Sequence, residues 1–177
     1  MQTIFFLIAS LLFVTTTFAD NKKKQADAAT EAWEYEIETV GKTGSTDYVL
    51  KVWSYSKDSM IAEEQSKKNA IHAVVFKGVP SADRIPGLKA LVSDPVAEEA
   101  NADFFREFFA DGGDYMKFVT RTNSGFAEVV KLAKVKKSGK ESEPKKFKIG
   151  LTVRVNVPAL RKHLEQKGII RSLSSGF

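Results

Sequence analysis

Residues 146 to 157 constrain this chain more than any other stretch. Phe147, Ile149, Leu151, Val153, Val155 and Val157 alternate with Lys146, Lys148, Gly150, Thr152, Arg154 and Asn156. An alternation of period two over eleven residues fits only a long strand with one buried and one solvated face. Such a strand needs neighbours on both sides and an apolar layer over one face, so the chain must build a sheet covered from one side. Pro158 follows at once, and the period changes: Leu160 and Leu164 share one helical face before Gly168 stops the helix.

The same test places the remaining elements. Trp33, Tyr35 and Ile37 alternate with Glu34, Glu36 and Glu38, which predicts a strand with a wet face. The turn-rich run Gly41 to Thr46 leads to a second strand at Tyr48 to Tyr55, giving a hairpin with a longer loop. That strand carries Tyr48, Leu50 and Val52 on one face and Val49, Trp53 and Tyr55 on the other, so it is expected in the interior of the sheet. Asp58 or Ser59 caps a helix from Met60 to about Lys77, with Glu63 and Glu64 near its positive end. Ala62, Ser66, Ala70 and Ala73 form a stripe of small residues that lets this helix lie close on a sheet. Gly78 and Val79-Pro80 end it, and Pro80 to Ser93 is expected to be a connecting loop.

Asp94-Pro95 opens a second helix whose apolar face is Val96, Ala97, Ala100, Phe104, Phe105, Phe108 and Phe109, ended by Gly112-Gly113. The phenylalanines are expected to be core. Tyr115 to Arg121 and Phe126 to Lys136 are expected to be two strands joined by a hairpin turn at Thr122 to Gly125, followed by a solvated loop at Ser138 to Pro144. The predicted order is therefore β-β-α-α-β-β-β-α. It describes one α+β domain, with a mostly antiparallel sheet of about five strands and helices on one face.

Before the domain, Ile4 to Val14 is an apolar run, and Thr17 and Ala19 place small residues where a signal peptidase cuts. The run is shorter than the ~20 residues a bilayer span needs. The expectation is a signal peptide at 1–19 cleaved after Ala19, a polar flexible leader at 20–31, the domain at 32–170, and a frayed tail at 171–177. Removal of 19 residues from 177 leaves 158, enough for one domain with a substantial core. The chain has no cysteine. This excludes disulfides, thiolate catalysis, cysteine-ligated zinc and a lipid-bearing N-terminal cysteine. The expected location is therefore periplasmic or secreted.

The net charge is +5. Between Lys131 and Lys148 lie Lys134, Lys136, Lys137, Lys140, Lys145 and Lys146, opposed within that stretch by Glu141 and Glu143. Lys134, Lys136, Lys137, Lys145 and Lys146 are the candidate contacts to an anionic surface, either lipid headgroups or acidic polysaccharide. A solvated hairpin whose lysines discourage edge pairing accounts for the same residues. An excess that is almost all lysine lacks the bidentate geometry of arginine, and no nucleic acid partner is expected.

Motifs for catalysis are missing. Gly41-Lys42-Thr43 resembles the end of a phosphate loop, but Glu36 stands where its first glycine belongs and the segment joins two strands. His72 and His163 lack a second histidine at i+4, and both are expected to be boundary residues without a special role. Asp111-Gly112-Gly113-Asp114 lacks the ligand spacing of a calcium loop, and nothing places Glu98 and Glu99 in a cleft. No catalytic residue, metal or cofactor is expected, and the chain is taken as a non-enzyme.

Two regions carry a resemblance. One is Tyr48 to Tyr55 followed by Ala62 to Val79, a strand leading into an alanine-studded helix that ends in Gly-Val. The other is Leu151 to Ile169, a strand feeding a helix with a Leu-Arg-x-x-Leu-Glu-x-x-Gly-Ile ending. Together they resemble the N-terminal domain of the flagellar assembly protein FlgT and related small bacterial envelope lipoproteins. The resemblance implies an α+β accessory domain of the bacterial envelope that acts through protein contacts, with another envelope protein as partner. The chain departs from the lipoprotein members in lacking the acylated cysteine.

Overall fold

The computed structural model describes residues 33–44, 46–56, 62–94, 96–122, 128–131 and 147–172. The expected signal peptide, leader, Ser138 to Pro144 loop and the tail from residue 173 lie outside the described residues. So do Lys134, Lys136, Lys137, Lys145 and Lys146.

The chain forms an α+β domain on an antiparallel sheet. Strands β1 (Tyr35–Thr43), β2 (Asp47–Ser56), β3 (Val119–Arg121), β4 (Glu128–Lys131) and β5 (Phe147–Asn156) lie in the order β1-β2-β5, with β3 and β4 both on the far edge of β5. The five strands thus fill four positions, because β3 pairs with the end of β5 at Val153–Val155 and β4 with its start at Phe147–Gly150. The expected hairpin between β3 and β4 does not form among the described residues; each strand is a separate addition to β5. Thr122 still turns inward, with its amide on the Thr152 carbonyl at 3.1 Å.

Alternation predicted the central strands well. On one face β2 buries Tyr48, Leu50, Val52 and Ser54, and β5 buries Ile149, Leu151, Val153 and Val155, in register as opposing pairs. The first hairpin is tighter than expected. β1 continues through Thr43, with a bulge at Val40 and Gly44 at φ +65°, so the loop shrinks to 44–46. Trp33 is not part of the strand: its φ is +49°, and the strand begins at Tyr35.

Helix α1 (Ala62–His72) covers the buried face and continues as a wider π-turn, Ala73–Lys77. Ser66, Ala70 and Ala73 of the small stripe are completely buried, as a close helix–sheet approach requires. Ser66 Oγ reaches Ser54 Oγ at 3.0 Å, and Asn69 Nδ2 donates to Ser54 Oγ at 2.9 Å, whereas Asn69 Oδ1 is buried without a hydrogen-bond partner. The π-turn closes with Gly78 N on Ala73 O at 2.7 Å. Segment 79–92 is not an open loop. Val79 bridges Leu88, Ala82 bridges Ile85, and the amides of Leu91 and Val92 take up the Val74 and Val75 carbonyls.

The second predicted helix is broken. α2 (Ala97–Ala100) and α3 (Ala102–Phe108) meet at Asn101, whose φ of −118° leaves the helical region and whose Nδ2 donates to Ala97 O at 2.8 Å. Asp94 Oδ1 accepts from Val96 N, but α2 starts only at Ala97 with Val96 as its N-cap and no side-chain cap, so Asp94 stands two residues short of the expected capping position. Only the second half of its apolar stripe is core: Phe105, Phe108 and Phe109 are buried, whereas Val96 and Ala100 are exposed. Residues Asp114–Phe118 form a 3-10 turn instead of the strand expected from Tyr115, because Tyr115 and Phe118, three apart, both point into the core.

Helix α4 (Val157–Gln166) is capped by Asn156, whose Oδ1 accepts from Ala159 N at 3.0 Å, and it buries Leu160 and Leu164 completely. Its end closes with Gly168 at φ +73°, Gly168 N on Glu165 O and Ile169 N on Leu164 O, which lays Ile169 back onto the core. Among the described residues no helix is long and apolar enough to cross a membrane.

Candidate functional site

All the described helices lie on the face lined by Leu50, Val52, Leu151 and Val153. None covers the opposite face, on which the register places Glu36, Glu38, Thr43, Val49, Lys51, Trp53, Tyr55, Lys148, Gly150, Thr152, Arg154 and Thr120. At its centre Trp53 packs on Gly150, its cross-strand partner, where the missing side chain makes room for the indole. Trp53 Nε1 donates to Glu38 Oε1 at 2.8 Å. The ammonium groups of Lys51 and Lys148 sit 4.2 and 5.0 Å from the indole centre, within cation–π range.

Glu36 is the hub beside it. One oxygen accepts from the Tyr55 hydroxyl and the other from Lys148 Nζ at 2.7 Å. The Lys148 hydrogen bond holds the Glu36 carboxyl below its usual range. The same carboxylate pushes the Tyr55 phenol and the Lys148 ammonium up. Each shift moves a group further from neutrality, so the three are fixed charges and dipoles at physiological pH, not proton shuttles. Lys148 is thus occupied: the lysine-rich stretch that had only Glu141 and Glu143 as counter-charges in the sequence gains Glu36 from β1.

Two other clusters escaped the sequence. His72 is not a boundary residue but is buried, with Trp33 stacked on it at 3.8 Å and Phe76 and Phe109 alongside. Its Nδ1 is hydrogen-bonded to the Tyr35 hydroxyl at 2.8 Å, and Nε2 lies 3.7 Å from Glu98 Oε1, beyond hydrogen-bond reach. Burial, with a lesser contribution from Lys77, pushes the imidazole down to about 3. Burial likewise pushes the Tyr35 phenol and the Glu98 carboxyl up. The geometry of a Tyr–His–Glu relay is approached, but its central base is too weak to take a proton near neutrality. Nothing local in the sequence marks this cluster, since Trp33, Tyr35, His72, Glu98 and Phe109 come from four separate segments.

His163 packs among Phe104, Phe108 and Phe118, and its Nε2 lies 3.7 Å from Asp114 Oδ2. Burial lowers its pKa against the opposing pull of Asp114. Asp111 accepts from the buried Lys68 at 2.7 Å, so the Asp111 to Asp114 turn ties α1 to the domain. Among the described residues no group of three or more His, Cys, Asp or Glu is placed to hold a metal ion. Glu98 faces His72, whereas Glu99 is exposed.

Comparison of the chain with family models, with characterised proteins and with solved structures gives no match in any of the three.

Proposed function

We propose that this chain is an exported, non-catalytic accessory protein of the bacterial cell envelope that binds another protein through the open face of its sheet. The observation that carries the reading is the half-buried Tyr55, with Trp53 buried beside it under Lys51 and Lys148, on the face that the described helices do not cover. Rigid amphipathic aromatics held by charged neighbours are what protein interfaces favour, since little side-chain entropy remains to be lost on contact. Support for the non-catalytic part comes from Glu36, Tyr55, Lys148 and His72, whose titrations are each displaced away from neutral pH. The apolar run at Ile4 to Val14 with Thr17 and Ala19 supports export, and the resemblance to envelope accessory domains supports the setting.

Site-specific photocrosslinking in producing cells tests it. A benzophenone side chain at Val49 or Tyr55 is expected to give one discrete cross-linked protein, lost when Lys148→Glu inverts the charge beside Tyr55. The same probe at Lys162, on the helical side, is expected to give none. Cross-links from Lys162 alone, or from no position, sink the reading. N-terminal sequencing of the native protein is expected to begin at Asp20, and a start at Met1 removes the export step.

A further inference from the structure

Beyond Arg154, at the end of the bare face away from Tyr55, the sheet carries an open cleft of about 370 Å3. It is lined by Thr43, Arg154, Thr120, Arg121 and Thr122. The register explains why these residues meet. Thr120 of β3 lies opposite Arg154 of β5, Arg154 opposite Val49 of β2, and Val49 opposite Gly41 of β1, two residues before Thr43. The cleft therefore crosses the strands, over as much as three strand spacings or roughly 14 Å.

The lining is chemically one-sided. Every lining residue carries a side-chain hydrogen-bond donor and none is a carboxylate; of the two arginines, Arg154 shares the bare face with Thr120, whereas Arg121, opposite Val153 in the register, sends its guanidinium to the helical side. Arg121 is partly committed, with Nη1 donating to Glu63 Oε2 at 3.1 Å on the helical side. Thr122 Oγ1 donates to the Thr152 carbonyl at 3.2 Å. Arg154 is less engaged: its Nε stands 4.0 Å from Asp47 Oδ2, past hydrogen-bond distance, and its side chain is 46% exposed. Thr43 and Thr120 are exposed as well. Such a lining rejects an apolar ligand, which needs hydrophobic walls, and rejects a cation. It suits an acceptor-rich anion with hydroxyls of its own, long enough to lie across several strands.

We propose that this cleft binds an acidic sugar, with Arg154 making charge-assisted hydrogen bonds to its carboxylate or phosphate and the Thr43 and Thr120 hydroxyls meeting its ring hydroxyls. The site is separate from Trp53 and Tyr55, and it stands or falls without the protein-partner reading.

Amide chemical shifts of protein produced from the full-length chain test it, titrated with a glucuronate disaccharide, glucose 6-phosphate, inorganic phosphate and a neutral glucose disaccharide. Saturable shifts are expected at Thr43, Thr120 to Thr122 and Arg154 with the two acidic sugars, and the tighter of them identifies the oxyanion. Binding is expected to weaken with salt, and about tenfold in Arg154→Gln, the loss of one charge-assisted hydrogen bond. Thr120→Val, which keeps the side-chain shape on an exposed position, is expected to weaken the sugars and leave phosphate unchanged. Circular dichroism confirms that both variants fold. Equal binding of the neutral disaccharide, phosphate matching the acidic sugars, full affinity in Arg154→Gln, or no saturable shift at these residues overturns the proposal.

Discussion

Trp53 of β2 occupies the space that a side chain at Gly150 of β5 would fill: a Cβ there would stand 2.7 Å from Trp53 Cζ3 and 2.9 Å from Cε3. The atoms in the way belong to a rigid ring, so relief requires the whole indole to tilt. Tilting breaks the 2.8 Å bond from Nε1 to Glu38 and moves the ring from beneath Lys51 and Lys148. Gly150→Ala is therefore expected to destabilise the protein by about 1–3 kcal/mol in urea unfolding, the range for overpacking. In a Trp53→Leu background the same substitution is expected to cost clearly less. Equal costs in both backgrounds would show that the indole is not what the glycine accommodates.

His72 makes stability depend on pH. Its imidazole titrates near 6.5 in the unfolded chain and at about 3 in the folded one, chiefly because of burial. The unfolded state therefore binds the extra proton between those values, and stability falls as pH drops from 6.5 towards 3. The slope approaches about 1.4 kcal/mol per pH unit from this residue alone. The other titrating neighbour, Glu98, is shifted up, so its own contribution runs the opposite way. His72→Gln is expected to lower stability at pH 7 and to flatten the acid limb. A wild-type slope that survives in the variant assigns the acid sensitivity elsewhere.

Asp83 and Gly78 both adopt positive φ, at +40° and +81°, for different reasons. Asp83 stands exposed at the tip of the Ala82–Ile85 bridge, where only its own Cβ is strained. Asp83→Gly is expected to stabilise by about 1 kcal/mol or slightly less, the left-handed strain offset by unfolded-state entropy. At Gly78 an added Cβ would lie 2.6 Å from the Leu88 carbonyl oxygen, so strain and collision combine. Gly78→Ala is expected to cost more than about 2 kcal/mol and to raise amide exchange at Leu91 and Val92. Thermal and chemical unfolding of the pair separates the two cases by sign.

Val96 and Leu160 look alike as helix-face residues in sequence, yet Val96 is 58% exposed and Leu160 is completely buried. Leu160→Ala is expected to cost about 2–5 kcal/mol by leaving a cavity. Val96→Ala is expected to stay within about 0.5 kcal/mol. Midpoints of urea unfolding measure both.

Lys148 shows how a site remains hidden in one dimension. Its neighbours in sequence make it one lysine among many, and its salt bridge to Glu36 spans 112 residues. Trp53 looked like half of a two-faced interior strand, as β2 is, but the glycine beneath it and the carboxylate beside it come from β5 and β1. The His72 cluster draws on four separate segments, with Tyr35 and His72 37 residues apart, and none of them carries a chemical motif.

Residues 147–156 needed no tertiary information, because side chains alternate on a pleated strand wherever it lies, and Asn156, Pro158 and Gly168 specify helix α4 through backbone geometry alone. Periodicity also established the small buried stripe of α1 and the interior position of β2. Pairing was a different matter. Tyr115 to Arg121 carries strand composition, but packing of Tyr115 and Phe118 into the core took its first half for a 3-10 turn. What remained joined the edge of β5 instead of its neighbour in sequence. Which strands share an edge, which half of an apolar helix faces water and which carboxylate meets which cation depend on long-range contacts whose energies local spacing does not encode.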